Sequence, residues 1–115
     1  MGRRMLTKED IILLFLDNPL KLVGEIQNRN VPKSDEVRDL ICEFGHAKLA
    51  CEYAEWIDEE PHPVTRTISC KDPFEAQWYA AYVDKKPTDE TRRAAEVIGL
   101  YKEQYEKWEN SLKKM

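Results

Sequence analysis

The sequence predicts an all-α fold, a bundle of four to five helices forming a single domain over residues 1–115, with one longer loop at residues 59–71. Three features carry this expectation. Apolar residues recur at steps of three and four along most of the chain, capping residues stand where those stretches begin, and prolines stand where they end.

The first helix starts at Thr7, a side chain that can accept from the free backbone N–H groups of a helix start, with Glu9 and Asp10 at the positive end of the dipole. It should run from about Lys8 to Asp17, where Asn18-Pro19 stops it. Pro19 suits a first helical position, and Leu20, Val23 and Ile26 follow at steps of three, so a second helix covers Pro19 to about Gln27. Ser34 caps a third, whose stripe of Val37, Leu40, Ile41, Phe44, Ala47, Cys51 and Ala54 extends it to Ile57 or Asp58, short of Pro61 and Pro63. The run from Val64 to Ser69 is rich in β-branched residues but has no partner strand, so it reads as loop. Asp72-Pro73-Phe74-Glu75 opens a fourth helix ending near Asp84. Thr88 caps a fifth, whose apolar face of Ala94, Val97, Ile98, Tyr101, Tyr105, Trp108 and Leu112 carries it past twenty residues.

Composition narrows the functional classes. A hydrophobic fraction of 42% argues against disorder, and the longest apolar run, Ile11 to Leu16, has six residues where a membrane span needs ~20. Arg3 and Arg4 precede that run in the manner of a signal peptide. Lys8, Glu9 and Asp10 interrupt it, however, and no small-residue cleavage site follows, so a cytoplasmic protein is expected. Three cysteines, Cys42, Cys51 and Cys70, form no disulfide spacing, which suits a reducing compartment. A net charge of −4 weighs against a dedicated DNA binder.

One regularity stands out. Tyr53-x-x-Trp56, Tyr79-x-x-Tyr82 and Tyr105-x-x-Trp108 follow one another at intervals of 26 residues. At a spacing of three, two rings lie on one helix face. The economical reading is a shared way of ending a helix, with aromatics filling core space; the sharper one is a repeated helical unit whose rings form a partner-binding surface.

Candidate chemistry is sparse. Cys42 and His46, four apart on one expected helix, offer half a metal site, which His62 and Cys70 do not complete in any finger spacing. Glu43-x-x-His46 has the letters of a di-iron carboxylate pair, but its counterpart Glu59-x-x-His62 contains Pro61. Two histidines and four scattered glycines give little room for a nucleophilic triad or a phosphate loop, so neither enzymatic activity nor a cofactor is expected.

The expected role is a small non-enzymatic interaction protein, an adaptor or inhibitor of the kind encoded as short chains by prokaryotes and their viruses. Its protein partner would be bound through Tyr53, Trp56, Tyr79, Tyr82, Tyr105 and Trp108. The alternative is a nucleic-acid- or nucleotide-binding module of a replication or defence system. There Arg29, Lys33, Arg66, Lys71, Lys85, Lys86, Arg92 and Arg93 would meet phosphates while exposed rings stack on bases. A metal-binding bundle through Cys42 and His46 comes third.

Overall fold

A computed structural model describes residues 5–114; Arg3 and Arg4 lie outside the described residues. The first two helices begin and end where their caps place them. In α1 (Lys8–Asp17), Thr7 Oγ1 accepts from Asp10 N–H at 3.2 Å while Asp10 returns a carboxylate to Thr7 N–H at 3.0 Å. In α2 (Pro19–Gln27), Asn18 Oδ1 accepts from Leu20 N–H at 3.0 Å and Pro19 takes the first position. Arg29, with φ of 60°, then turns the chain out of the helix. No helix among the described residues is long and apolar enough to cross a membrane.

From Ser34 onward the chain is a series of helical hairpins, and their count corrects the expected four to five helices. There are eight α-helices among the described residues, because two of the long helices are broken and the expected loop contains one. The third expected helix is α3 (Asp35–Glu43) and α4 (Ala47–Tyr53), parted at Gly45, whose φ of +66° belongs to the left-handed region that glycine enters without steric cost. Residues 59–71 hold α5 (Pro63–Ser69). Its β-branched residues are helical because Pro63 presets the first turn and because a neighbouring helix supplies its hydrogen-bond partners; tertiary contact overrides a weak local preference. The fourth expected helix is α6 (Pro73–Tyr79) with a following turn. The fifth is α7 (Asp89–Ala95) and α8 (Gly99–Lys113), so that Val97 and Ile98, placed by periodicity on an apolar face, instead lie exposed in the corner between them.

These hairpins repeat. Residues His46, Asp72 and Ile98, which open α4, α6 and α8, stand 26 apart, as do Tyr53, Tyr79 and Tyr105 on those helices. Each tyrosine is completely buried, and its hydroxyl reaches back to the start of the preceding helix. Tyr53 Oη accepts from Ser34 N–H at 3.2 Å and donates to Pro32 O at 2.8 Å. Tyr79 Oη accepts from His62 N–H at 3.0 Å and shares a proton with Thr65 Oγ1 at 2.8 Å. Tyr105 Oη does the same with Thr88 N–H at 3.3 Å and Thr91 Oγ1 at 2.8 Å. A helix start buried without partners for its N–H groups is costly, and here a phenol from the next helix provides one.

An arginine closes the other side of each hairpin. Arg38 on α3 grips Asp58 through Nε at 2.8 Å and Nη2 at 3.0 Å; Arg66 on α5 grips Asp84 at 2.9 and 2.5 Å; Arg92 on α7 meets Glu109 at 2.6 Å. The acid lies five residues after the tyrosine in the first two hairpins, and both α4 and α6 pass there into π turns, Ala54–Asp58 and Ala80–Asp84. The wider i→i+5 winding brings residues five apart toward one face, so Tyr79 and Asp84 both address α5. In the third hairpin the acid is four residues after Tyr105, ordinary α spacing suffices, and α8 continues unbroken.

The core thins along the series. α1 to α4 enclose Ile11, Leu22, Ile26, Ile41, Leu49 and Tyr53, whereas the cluster around Tyr105 is built on Ala80 and Ala95. The molecule measures 45 × 27 × 20 Å, and its Cα radius of gyration of 14.8 Å exceeds the roughly 13 Å of a spherical chain this long, as expected of hairpins laid side by side. Two outcomes follow. Tyr79→Phe and Tyr105→Phe should each lower the free energy of urea unfolding by about 1–3 kcal/mol, since a buried helix start loses its acceptor, while Tyr82→Phe at the surface leaves it unchanged. Native-state hydrogen exchange should be slowest at the amides of α2 and α4 and fastest in α7 and α8, where the apolar contacts are smallest.

Candidate functional site

The second members of the aromatic pairs do not share one surface. Tyr82 is 52% exposed and Trp108 half-buried, and both border a groove between α6 and α8; Trp56 lies elsewhere, lining a separate hollow with Met5, Val31 and Ile57. Tyr53, Tyr79 and Tyr105 are committed to the interior and present no surface to a partner. The 26-residue spacing thus combines two roles, a buried phenol at the first position and a more accessible ring at the second.

The groove is lined by Phe74, Gln77, Trp78, Ala81, Tyr82 and Trp108 and encloses about 230 Å³. Phe74, Trp78 and Tyr82 follow one another at steps of four on α6 and its π turn, which sets them in one row. Their ring centroids are 5.9 Å apart from Phe74 to Trp78 and 4.3 Å from Trp78 to Tyr82. Tyr101 on α8 meets the edge of Phe74 at 5.9 Å, and Trp108 is braced by Tyr105 in a T-shaped contact at 5.3 Å. Ala81 leaves the floor open. The indole N–H of Trp78 donates to Glu55 Oε1 at 2.7 Å, which fixes the ring and brings a carboxylate to the groove's end. Gln77 Oε1 is buried and has no hydrogen-bond partner. Of these residues Tyr82 and Trp108 are expected from the sequence; Phe74, Gln77, Trp78 and Glu55 are not, although Phe74-x-x-x-Trp78-x-x-x-Tyr82 is a ring stripe at helical spacing.

Beneath this row, Glu75 is buried between α4 and α6. Burial holds its carboxyl above the ordinary value of 4.5, and Asp72, Glu52 and Glu55 push the same way against Lys48. The thiols are similarly quenched. Burial and Asp39 raise Cys42 to about 11, burial and Glu90 raise Cys70 to about 12, and Cys51, enclosed beside Glu75 and Glu52, is shifted upward as well. Burial thus disfavours the free thiolate at each of the three cysteines.

Cys42 and His46 are not on one helix. Gly45 separates them, and His46 turns its Nδ1 onto Leu49 N–H at 3.4 Å as the cap of α4. His62 and Cys70 stand at opposite ends of α5. Among the described residues no group of three or more His, Cys, Asp and Glu side chains is placed to hold a metal ion. Of the basic residues, Arg66 and Arg92 are spent on Asp84 and Glu109, and Arg29 pairs with Glu59 at 3.4 Å. Lys33, Lys71, Lys85, Lys86 and Arg93 are exposed.

No family model matches this chain, and no curated protein or solved structure matches it either.

Glu75 makes the stability pH-dependent with a definite sign. Its native pKa lies above its unfolded one, so the native state binds the proton more tightly. Stability falls as pH rises from the ordinary carboxylate value through the raised one, and the loss is complete above it. Glu75→Gln should therefore be more stable than the parent at neutral pH, and the gap should shrink toward about pH 4, read as urea midpoints across that range.

Proposed function

We propose that this protein is a non-enzymatic interaction module and that it meets a protein partner through the groove between α6 and α8. The observation that carries this reading is the row of Phe74, Trp78 and Tyr82. Phe74 is 41% and Tyr82 52% exposed, although the same chain buries three tyrosines completely. Large aromatic rings left at a surface and braced from behind are the side chains that dominate binding energy at protein contacts, because each covers much area while losing little rotamer freedom. Trp78 is held by Glu55 and Trp108 by Tyr105, so the wall is preorganised before a partner arrives.

Charge favours a protein over a nucleic acid at this place. Stacked bases would bring phosphates toward Glu55 and Glu59, which border the cleft continuing past Tyr82, and three of the candidate phosphate-binding arginines are already paired with acids. No thiol or imidazole lines the groove beside the rings.

Peptides selected from a random display library against the folded chain should bind at the groove. Tyr82→Ala, which removes an exposed ring, should weaken them at least about tenfold while the circular dichroism spectrum and urea midpoint stay unchanged. Binders indifferent to Tyr82→Ala and Trp108→Leu would overturn the reading. Single-stranded DNA bound at the same rings, with affinity falling steeply as salt rises, would replace the protein partner with a nucleic acid.

A further inference from the structure

The lining of the groove says which side chain it is built to accept. We infer that it binds the guanidinium of an arginine presented by the partner protein, an inference that rests on the groove being the contact surface. Two features of the lining and a carboxylate at its end converge on that group.

Phe74, Trp78, Tyr82 and Trp108 offer ring faces and edges around about 230 Å³, room for one long side chain rather than for a helix. A cation within about 6 Å of such a ring is attracted by its quadrupole, most strongly at tryptophan. Gln77 Oε1 is a buried acceptor with no partner. A hydrocarbon guest would leave it unpaired, whereas a guest carrying N–H groups satisfies it once the Gln77 amide turns toward the groove. Glu55 supplies the charge. Its carboxylate holds the Trp78 indole and also lines the adjoining cleft with Tyr82, Glu59 and Lys85. Glu59 is paired with Arg29, so Glu55 is the acid the guest meets.

Arginine suits this lining better than lysine. A guanidinium is flat enough to lie on a ring while its rim donates in several directions, here to Gln77 and Glu55, and it is more weakly hydrated than an ammonium. The protein already uses the same chemistry internally. Arg66 lies with its Cζ 5.9 Å above the Tyr79 ring while two of its nitrogens bond Asp84.

The test uses the whole chain and three end-blocked pentapeptides, glycine at four positions and arginine, lysine or citrulline at the centre. Citrulline has arginine's shape without its charge. Two-dimensional NMR titration should move the side-chain amide of Gln77 and the indole N–H signals of Trp78 and Trp108 on adding the arginine peptide. The citrulline peptide should bind at least about tenfold more weakly and the lysine peptide should fall between. Gln77→Leu and Glu55→Gln should each weaken the arginine peptide without altering the fold, which unchanged amide spectra elsewhere would establish. Equal binding of arginine and citrulline, shifts confined to other surfaces, or no shift at about 10 mM peptide would overturn the inference. Library-selected binders that need Tyr82 yet carry no arginine would overturn it too, while leaving the interaction surface itself intact.

Discussion

A phenol hydroxyl at the start of the preceding helix is the contact on which each hairpin depends. A helix exposes unsatisfied N–H groups at its first turn, and packing such an end against a neighbour removes the water that would otherwise serve them. Ser34 and Thr88 satisfy inner N–H groups of α3 and α7 with their own side chains; the N–H of Ser34 itself goes to Tyr53 Oη, and that of Thr88 is shared between Thr91 Oγ1 and Tyr105 Oη. His62 offers α5 no side-chain cap, and Tyr79 Oη accepts the N–H of His62 itself while hydrogen-bonding Thr65 Oγ1. The hydroxyls cannot ionise easily in this setting. Burial and nearby carboxylates push all three upward, Tyr53 to about 12, so each remains both donor and acceptor at ordinary pH.

Once the tyrosine is fixed, the rest of the hairpin is constrained. An arginine one turn into the first helix must meet an acid near the end of the second, and the acid's distance from the tyrosine decides the winding between them. Five residues require the π turns that end α4 and α6; four allow α8 to run straight. Because Asp58 and Asp84 have fully buried side chains, these pairs gain from close bidentate geometry and would cost heavily if only one partner were removed. Arg66 and Arg92, which look available in the sequence, are therefore part of the frame.

The groove follows from the same frame. With Tyr79 and Asp84 turned toward α5, the opposite side of α6 carries Phe74, Trp78 and Tyr82, and α8 returns beside it with Trp108. The two ends of the series differ in kind. α1 and α2 leave Leu13, Leu16 and Leu20 exposed over a large aliphatic core, while α8 shows mainly charged residues outward over a core of alanines and one tyrosine. The aromatic wall stands over the thinner core, where rings from α6 and α8 provide much of the contact.

Helix starts were legible where a capping side chain marks them, because capping is a conversation between residues two or three apart: Thr7, Ser34, Asp72 and Thr88 each cap as their positions suggest. Asn18, expected as a stop, also caps α2, and the starts of α4, α5 and α8 were not legible. The 26-residue spacing was legible for the same reason, as a pattern in the chain itself. What the sequence alone could not decide was where a periodic stripe breaks and which way a ring turns. Gly45 sits within an unbroken apolar stripe, and only packing against neighbouring helices selects its left-handed conformation over a continued helix. Val64 to Ser69 is helical because Tyr79, 14 residues beyond Thr65, completes its first turn. Tyr79 and Tyr82 differ in nothing the sequence displays locally, yet one is buried and the other exposed, since burial is set by helices that arrive from far along the chain.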